Sequence, residues 1–257
     1  MNPTFSPADE AFRGELQEFY RQELPEDWFG MPGHESERAA EITQDIRVKL
    51  AKKGWLTMAW PIEYGGEAAP ITKQLVFSEE SAYHRITVRE SGVGYLGPAI
   101  MQHGTEEQKQ RFLGPIARAE IKFHQGFSEP DHGSDLAGLT TKAWRDGDDF
   151  IISGQKIWGG HLEEAQYSFL LARTDPGAAK HKGISFFVIP SDTEGLRAET
   201  FGNLGGGKQQ IVHYDNCRVN AAQSLIGQEN QGWYIATTVL NHERAFVEYA
   251  AMATRML

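Results

Sequence analysis

The chain changes its hydrophobic period twice, and those two changes decide what it can fold into. Up to about Glu120 apolar residues recur at helical spacing. From there to about Asn230 short β-prone runs alternate with turns, and from Gln231 the helical period returns. The pattern predicts an α+β chain. Its parts are an N-terminal helical domain over residues 1–120, an antiparallel β-barrel or sandwich domain over 121–230, and the start of a C-terminal helix over 231–257. With 257 residues there is length for one large domain or two modest ones with real hydrophobic cores.

The helical stretches carry their own boundary signals. Ser6, Pro7 and Asp9 read as an N-cap, a first-turn proline and a capping-box acid, followed by Phe12, Leu16, Phe19 and Tyr20 on one stripe. A second helix carries Ile42, Ile46, Val48 and Leu50. It ends in the cationic pair Lys52-Lys53 before a C-cap glycine, Gly54. A third starts near Ile71 and includes Val76 and Glu79-Glu80, and Thr105 with Gln108 opens another that contains Phe112. The strand candidates are 150–153, 169–172, 184–189, 196–201 and 210–214, with Asp146-Gly147-Asp148 as a hairpin turn. The last helix spaces Trp233, Ile235, Val239, Leu240 and Phe246 helically and meets no stop signal before Leu257.

Charge and cysteine content narrow the function classes. A formal net charge of −10 disfavours a non-specific binder of nucleic acid, but not a phosphorylated small ligand that needs only a few local donors. The one cysteine, Cys217, excludes an intrachain disulfide and fits a reducing cytoplasm. The first ten residues lack the basic and apolar regions of a signal peptide, and no apolar run is long enough to span a bilayer. A soluble, cytoplasmic protein is expected.

One stretch is dense in backbone donors and hydroxyls: Phe127-Ser128-Glu129-Pro130-Asp131-His132-Gly133-Ser134-Asp135, then Leu139-Thr140-Thr141-Lys142-Ala143. Such a loop can cradle a diphosphate or the polar edge of a ring system. On residue chemistry alone, a β-bulge or turn whose Ser and Asp side chains satisfy themselves is the stronger reading. Further along come Gly154-Gln155-Lys156-Ile157-Trp158, Arg173-Thr174-Asp175, Gly183-Ile184-Ser185 and Asn216-Cys217-Arg218-Val219. Leu225-Ile226-Gly227, Gly232-Trp233 and Asn241-His242-Glu243-Arg244 close the series. Gly54-Trp55, Trp60-Pro61, Tyr64-Gly65-Gly66, Glu79-Glu80 and the run from His103 to Gln108 stand ahead of it. In this order the motifs resemble the acyl-CoA dehydrogenase family, from the first helix to the end of the chain.

The resemblance implies a flavin enzyme, with FAD as cofactor and no metal, that oxidises the Cα–Cβ bond of an acyl-CoA thioester. In that family a carboxylate takes the α-proton, the β-hydrogen leaves as hydride to flavin N5, and electrons pass to an electron-transfer flavoprotein. Carried over residue by residue, Phe127 and Ser128 contact the flavin ring, and Gly133 and Ser134 lie near the flavin diphosphate and the acyl-CoA. Trp158 packs against the ring, and Asn241 and Arg244 meet the CoA. Gln125 stands where a flavin-contacting tyrosine is common. Gly159 and Gly160 follow the tryptophan where relatives carry Thr or Ser two positions on, although glycine backbone can still approach a ring closely. Gln166 stands where relatives have an acid.

Relatives continue beyond this length as a helical bundle. The expectation is a truncated chain or a split enzyme, a homo- or hetero-oligomer in which a separate chain supplies the C-terminal helical domain. A helix left bare at Val247 and Met252 points the same way. The base assigned is Glu243, with Glu248 as second candidate and the absent region as the other source. A proton-abstracting carboxylate works best with its pKa raised towards working pH, which desolvation supplies. The rival readings are a non-catalytic or half-site subunit of a heteromeric dehydrogenase, and an acyl-CoA oxidase or flavin monooxygenase relative. Fatty, branched, aromatic and steroid-derived thioesters all remain open. His132, His161, His213 and His242 lack metal-ligand spacing. Cys217 reads as a semi-buried strand-end residue, and Glu163-Glu164 as a solvated pair.

Overall fold

The reciprocal bonds expected at Ser6 form. Its hydroxyl accepts from Asp9 N at 3.2 Å while the Asp9 carboxylate accepts from Ser6 N at 2.9 Å, and helix α1 (Pro7–Glu23) begins there. The computed structural model describes residues 5–30, 36–204 and 208–244, with Ala251 and Ala253. Phe246, Val247, Glu248 and Met252 lie outside the described residues.

Contact density divides the chain into two compact units. The first comprises Met1–Gly94, Gly114–Glu120 and Glu243–Leu257; the second comprises Tyr95–Leu113 and Ile121–His242. In the first, α2 (Glu37–Lys52) stops at Lys53, and Gly54 follows in the left-handed conformation (φ +73°) that a C-cap glycine supplies at little strain. Helix α3 (Ile71–Tyr83) packs on α1 through Arg13, which donates to Glu79 and Glu80 at 2.9 Å each, and through Tyr20 Oη to Ser81 Oγ at 2.7 Å. Glu79-Glu80 is thus an ion-pair anchor. The aromatic loop buries its rings: Trp55 meets Phe12 and Phe19 edge-on at 5.4 and 5.8 Å, and Trp60 Nε1 donates to Val93 O at 3.1 Å.

The second unit opens with the end of a π-turn (Gly92–Leu96), α4 (Gly97–His103) and most of α5 (Glu106–Ala117). Thr105 and Gln108 form the expected capping box, with bonds of 3.1 and 3.2 Å. The strands are β1 (Phe123–Gly126), β2 (Lys142–Asp146), β3 (Asp149–Gly159) and β4 (Tyr167–Arg173). They continue as β5 (Ile184–Pro190), β6 (Leu196–Gly202), β7 (Lys208–Asn220) and β8 (Leu225–Ile226). They form one eight-stranded sheet in the order β6-β7-β3-β2-β4-β5-β8, with β1 added on β4. Pairing is antiparallel except that β1 and β2 each meet β4 in parallel. Strand β5 is buried on both faces, which explains its unbroken apolar run. Strand β3 runs for 11 residues, well past the four expected, and bulges between Ile152 and Gly154 and between Ile157 and Gly159. Cys217 is fully buried within β7 rather than half-buried, and burial pushes its thiol up to about 11. After a short helix α6 (Ala221–Ser224), α7 (Gly232–Glu243) is the last described element. Among the described residues no helix is long and apolar enough to cross a membrane.

Candidate active site

Residues 127–141 leave β1 and return to β2 as a loop whose ends are tied by one carboxylate. Glu129, 3% exposed, accepts from Thr140 N and Thr140 Oγ1 at 2.7 Å each, from Thr141 N at 2.9 Å and from Lys156 Nζ at 2.9 Å. Lys156 comes from β3, is 1% exposed, and also donates to Phe127 O at 3.1 Å. Ile157 N donates to Ser128 O at 2.8 Å, joining the loop to the same strand. Burial works to raise the Glu129 carboxyl, but the Lys156 ammonium and the Thr140 donors outweigh it and hold it at about 2. Burial pulls the Lys156 ammonium down to about 8 against the attraction of Glu129, so both groups are charged at neutral pH.

A pH dependence follows. The folded pKa of Glu129 lies below its ordinary 4.5, so its contribution to stability is complete above about pH 4.5 and is lost as pH falls towards 2. The melting temperature of Glu129→Gln should therefore trail the parent's near neutrality and converge on it in acid. A gap that stays constant across that range contradicts this.

Within the loop, Glu129 and His132 exchange backbone bonds of 3.0 and 3.1 Å, and Arg173 at the end of β4 donates to Ala137 O at 2.7 Å and Leu139 O at 3.2 Å. Gly133 and Ser134 are left at the tip, with open space where a Gly133 side chain would be. Phe127 is buried and Ser128 half-buried at the loop's base.

The second bulge of β3 falls at Trp158. It holds the residue at φ +70°, a left-handed conformation that costs a bulky side chain roughly 1–3 kcal/mol. The indole is 60% exposed and makes an edge contact to Phe201 at 5.7 Å. Strain and exposure together are unlike a core tryptophan and suit one aimed at a ligand. Gly159 adjoins Gln125 O, and Gln125 accepts from Tyr95 Oη at 3.2 Å. Beside Gln125, His124 points into the sheet, 1% exposed, with Nδ1 3.0 Å from Ser168 Oγ and Nε2 unpartnered among the described residues. Burial pulls its imidazole down to about 4, so the ring is neutral.

The structure thus gathers Gln125, Phe127, Ser128, Trp158 and Gly159 where β1, the loop and β3 meet. Gly160 follows directly, and Gly133 and Ser134 occupy the tip. Asn241 is exposed on the last turn of α7, Glu243 is half-buried at its end, and Arg244 is exposed beyond it. Glu243 and Arg244 belong to the first unit and the loop to the second. Gln166, which stands where relatives have an acid, and Glu164 both make local contacts with Lys122. Gln166 Oε1 accepts from Lys122 N at 2.8 Å, and Glu164, exposed as expected, lies 3.1 Å from Lys122 Nζ. The Glu129–Lys156 pair and His124 are the residues that sequence reasoning passed over. A lysine inside an otherwise β-prone run was the available signal for the first; a lone histidine gave none for the second.

Fold and loop together define the class. The family model for the acyl-CoA dehydrogenase N-terminal domain matches residues 6–120, and that for the middle domain matches 125–217. The chain belongs to the acyl-CoA dehydrogenase family. It is similar to acyl-CoA dehydrogenase FadE26 of Mycobacterium tuberculosis, 36% identical over 95% of this chain and 62% of that one. A solved structure described as the Tcur3481-Tcur3483 steroid ACAD superposes with a TM-score of 0.88 at 38% identity, covering 100% of this chain and 66% of that one. The ChsE4-ChsE5 complex from Mycobacterium tuberculosis gives 0.85 at 34% identity, over 96% and 62% of the respective chains. The chain spans 62%, 55% and 64% of the length of three of the curated relatives it matches.

Proposed function

We propose that this chain is the flavin-side part of an FAD-dependent acyl-CoA dehydrogenase that desaturates the Cα–Cβ bond of an acyl-CoA thioester. In this reading it works in a hetero-oligomer, as the paired chain names of two similar structures suggest. The observation that carries the reading is the strained, exposed Trp158 beside a loop pinned by a buried ion pair. These residues fit a flavin. An indole face suits its ring, the Ser128 hydroxyl and backbone N–H groups suit its polar edge, and the open tip at Gly133 and Ser134 suits its diphosphate.

A bound flavin would supply the hydride-accepting chemistry for the substrate's β-hydrogen, with an electron-transfer flavoprotein as the electron acceptor. The chain's own work is to bind, orient and move one proton. Glu243 takes the α-proton onto its carboxylate, and Asn241 and Arg244 hold the polar CoA. Trp158 keeps water from one face of the ring. The buried, free thiol of Cys217 is compatible with a cytoplasmic location. Because one similar structure is described as a steroid ACAD, a steroid-derived thioester is the first substrate to test.

A second reading, a half-site subunit that shapes the flavin pocket while its partner supplies the base, has an observation in its favour. Gly159 and Gly160 bring no hydroxyl to the reactive edge, and two of the similar structures carry paired chain names. Exchange of the α-hydrogen separates the two. The assembled complex in D2O should exchange the thioester's α-hydrogen, and Glu243→Gln should slow that exchange by about 10²- to 10⁴-fold. Exchange undiminished in Glu243→Gln moves the base to the partner and favours the half-site reading.

A further inference from the structure

The glycine after Trp158 has a physical cause inside the sheet. An ideal Cβ on Gly159 would stand 2.2 Å from His124 Nε2, 3.1 Å from His124 Cδ2 and 3.1 Å from Gln125 O. Non-bonded atoms do not approach to 2.2 Å, so a histidine ring at 124 and a side chain at 159 exclude each other. His124 Nδ1 lies 3.0 Å from Ser168 Oγ, which lies 3.1 Å from Tyr214 Oη, and all three side chains are buried.

The proton count favours one direction along this chain. If Tyr214 donates to Ser168 and Ser168 donates to Nδ1, both hydroxyl protons are used and the ring proton sits on Nε2, facing Gly159. The opposite direction leaves Nε2 without a donor and the Tyr214 proton without an acceptor in the chain. Either way Nε2 is buried with no partner among the described residues. An unsatisfied buried nitrogen is costly to keep, and a residue chosen for packing alone would be apolar.

We propose that His124 is a positioning residue for the flavin edge: its ring, held by Ser168 and Tyr214, backs the Gly159 backbone and fixes the bulge at Trp158. This rests on the flavin reading given above. The left-handed Trp158 needs a surround that over-determines its backbone, and side chains at 159 and 160 are not there to give one. His124 supplies that support from behind. Histidine at 124 and glycine at 159 are then coupled positions.

A double-mutant cycle on the assembled complex tests this with Gly159→Ala, His124→Ala and both together. The readouts are the flavin-free melting temperature, the dissociation constant for FAD and the visible spectrum of the bound flavin. Gly159→Ala alone should lower the melting temperature and weaken FAD binding by about tenfold or more, and the double variant should recover the melting temperature. His124→Asn keeps an amide for Ser168 but is too short to reach Gly159. It should melt near the parent yet bind FAD about tenfold more weakly with a shifted flavin band. Additive melting shifts, or His124→Asn with parental FAD affinity and spectrum, would overturn the proposal. If the parent complex binds no FAD at all, the flavin reading fails by itself. The emission of Trp158, taken as the difference from a Trp158→Phe chain, then still reports whether His124 sets the bulge.

Discussion

Replacing Lys156 with methionine should lower the melting temperature of the chain by roughly 10 °C, the largest stability effect of any single side chain around the loop. Glu129 would keep its Thr140 and Thr141 donors but lose its bonded cation, in a place where 3% of its surface meets water. Removing one partner of a buried pair typically costs about 3–5 kcal/mol, because the other charge stays buried and uncompensated. The double variant Glu129→Gln/Lys156→Met buries no charge and should recover part of the loss. Amide exchange over residues 127–141 should quicken in Lys156→Met, since Phe127 O and both loop ends lose their common anchor. Thermal melts followed by circular dichroism decide it. A fall below about 3 °C would mean that the ion pair does not hold the loop.

Trp158→Gly should separate stability from binding. Glycine adopts φ +70° without the strain the indole backbone carries, and the ring gives up an edge contact with Phe201. The added freedom of glycine in the unfolded chain offsets that relief, so the melting temperature should stay within about 3 °C of the parent. FAD affinity of the assembled complex should nevertheless fall by roughly tenfold, the worth of a good aromatic stack. Loss of both together would make Trp158 a packing residue whose exposure is incidental. Loss of neither would remove the ring from the site altogether.

What can be read from the residues alone is what local chemistry dictates. The Ser6–Asp9 and Thr105–Gln108 boxes and the Lys53-Gly54 stop are short-range bonds that their side chains announce. Strands β4, β5 and β6 show as β-prone runs bounded by turns. Strand β1 does not show, because Phe123-His124-Gln125-Gly126 has no alternation and becomes a strand only by pairing in parallel with β4. Most of β3 stays hidden for a related reason. Gly154 and Lys156 interrupt the apolar pattern, and Lys156 can sit in the sheet only because Glu129 arrives from 27 residues away in sequence.

The candidate site divides along the same line. The loop from Phe127 to Ser134 and Trp158 stand out as motifs, and the two parallel pairings with β4 and the bulge at Trp158 place them. Their supports, Glu129 with Lys156 and His124 with Gly159, are contacts between distant segments. No spacing rule reports those. Gly159 and Gln166 give no hint of their roles when met singly in the sequence. Each has a partner in the fold, His124 for the first and Lys122 for the second.

The most direct measurement is an anaerobic absorbance titration of the purified chain, with and without any polypeptide that co-purifies with it, using steroid-derived and simple fatty acyl-CoA thioesters. The expected result is a bound-flavin spectrum, acquired in full when the partner is present, that bleaches on adding one of the thioesters and stays unbleached in Glu243→Gln. A chain that remains colourless with and without its partner would contradict the flavin-dependent function and leave only the fold and the family standing.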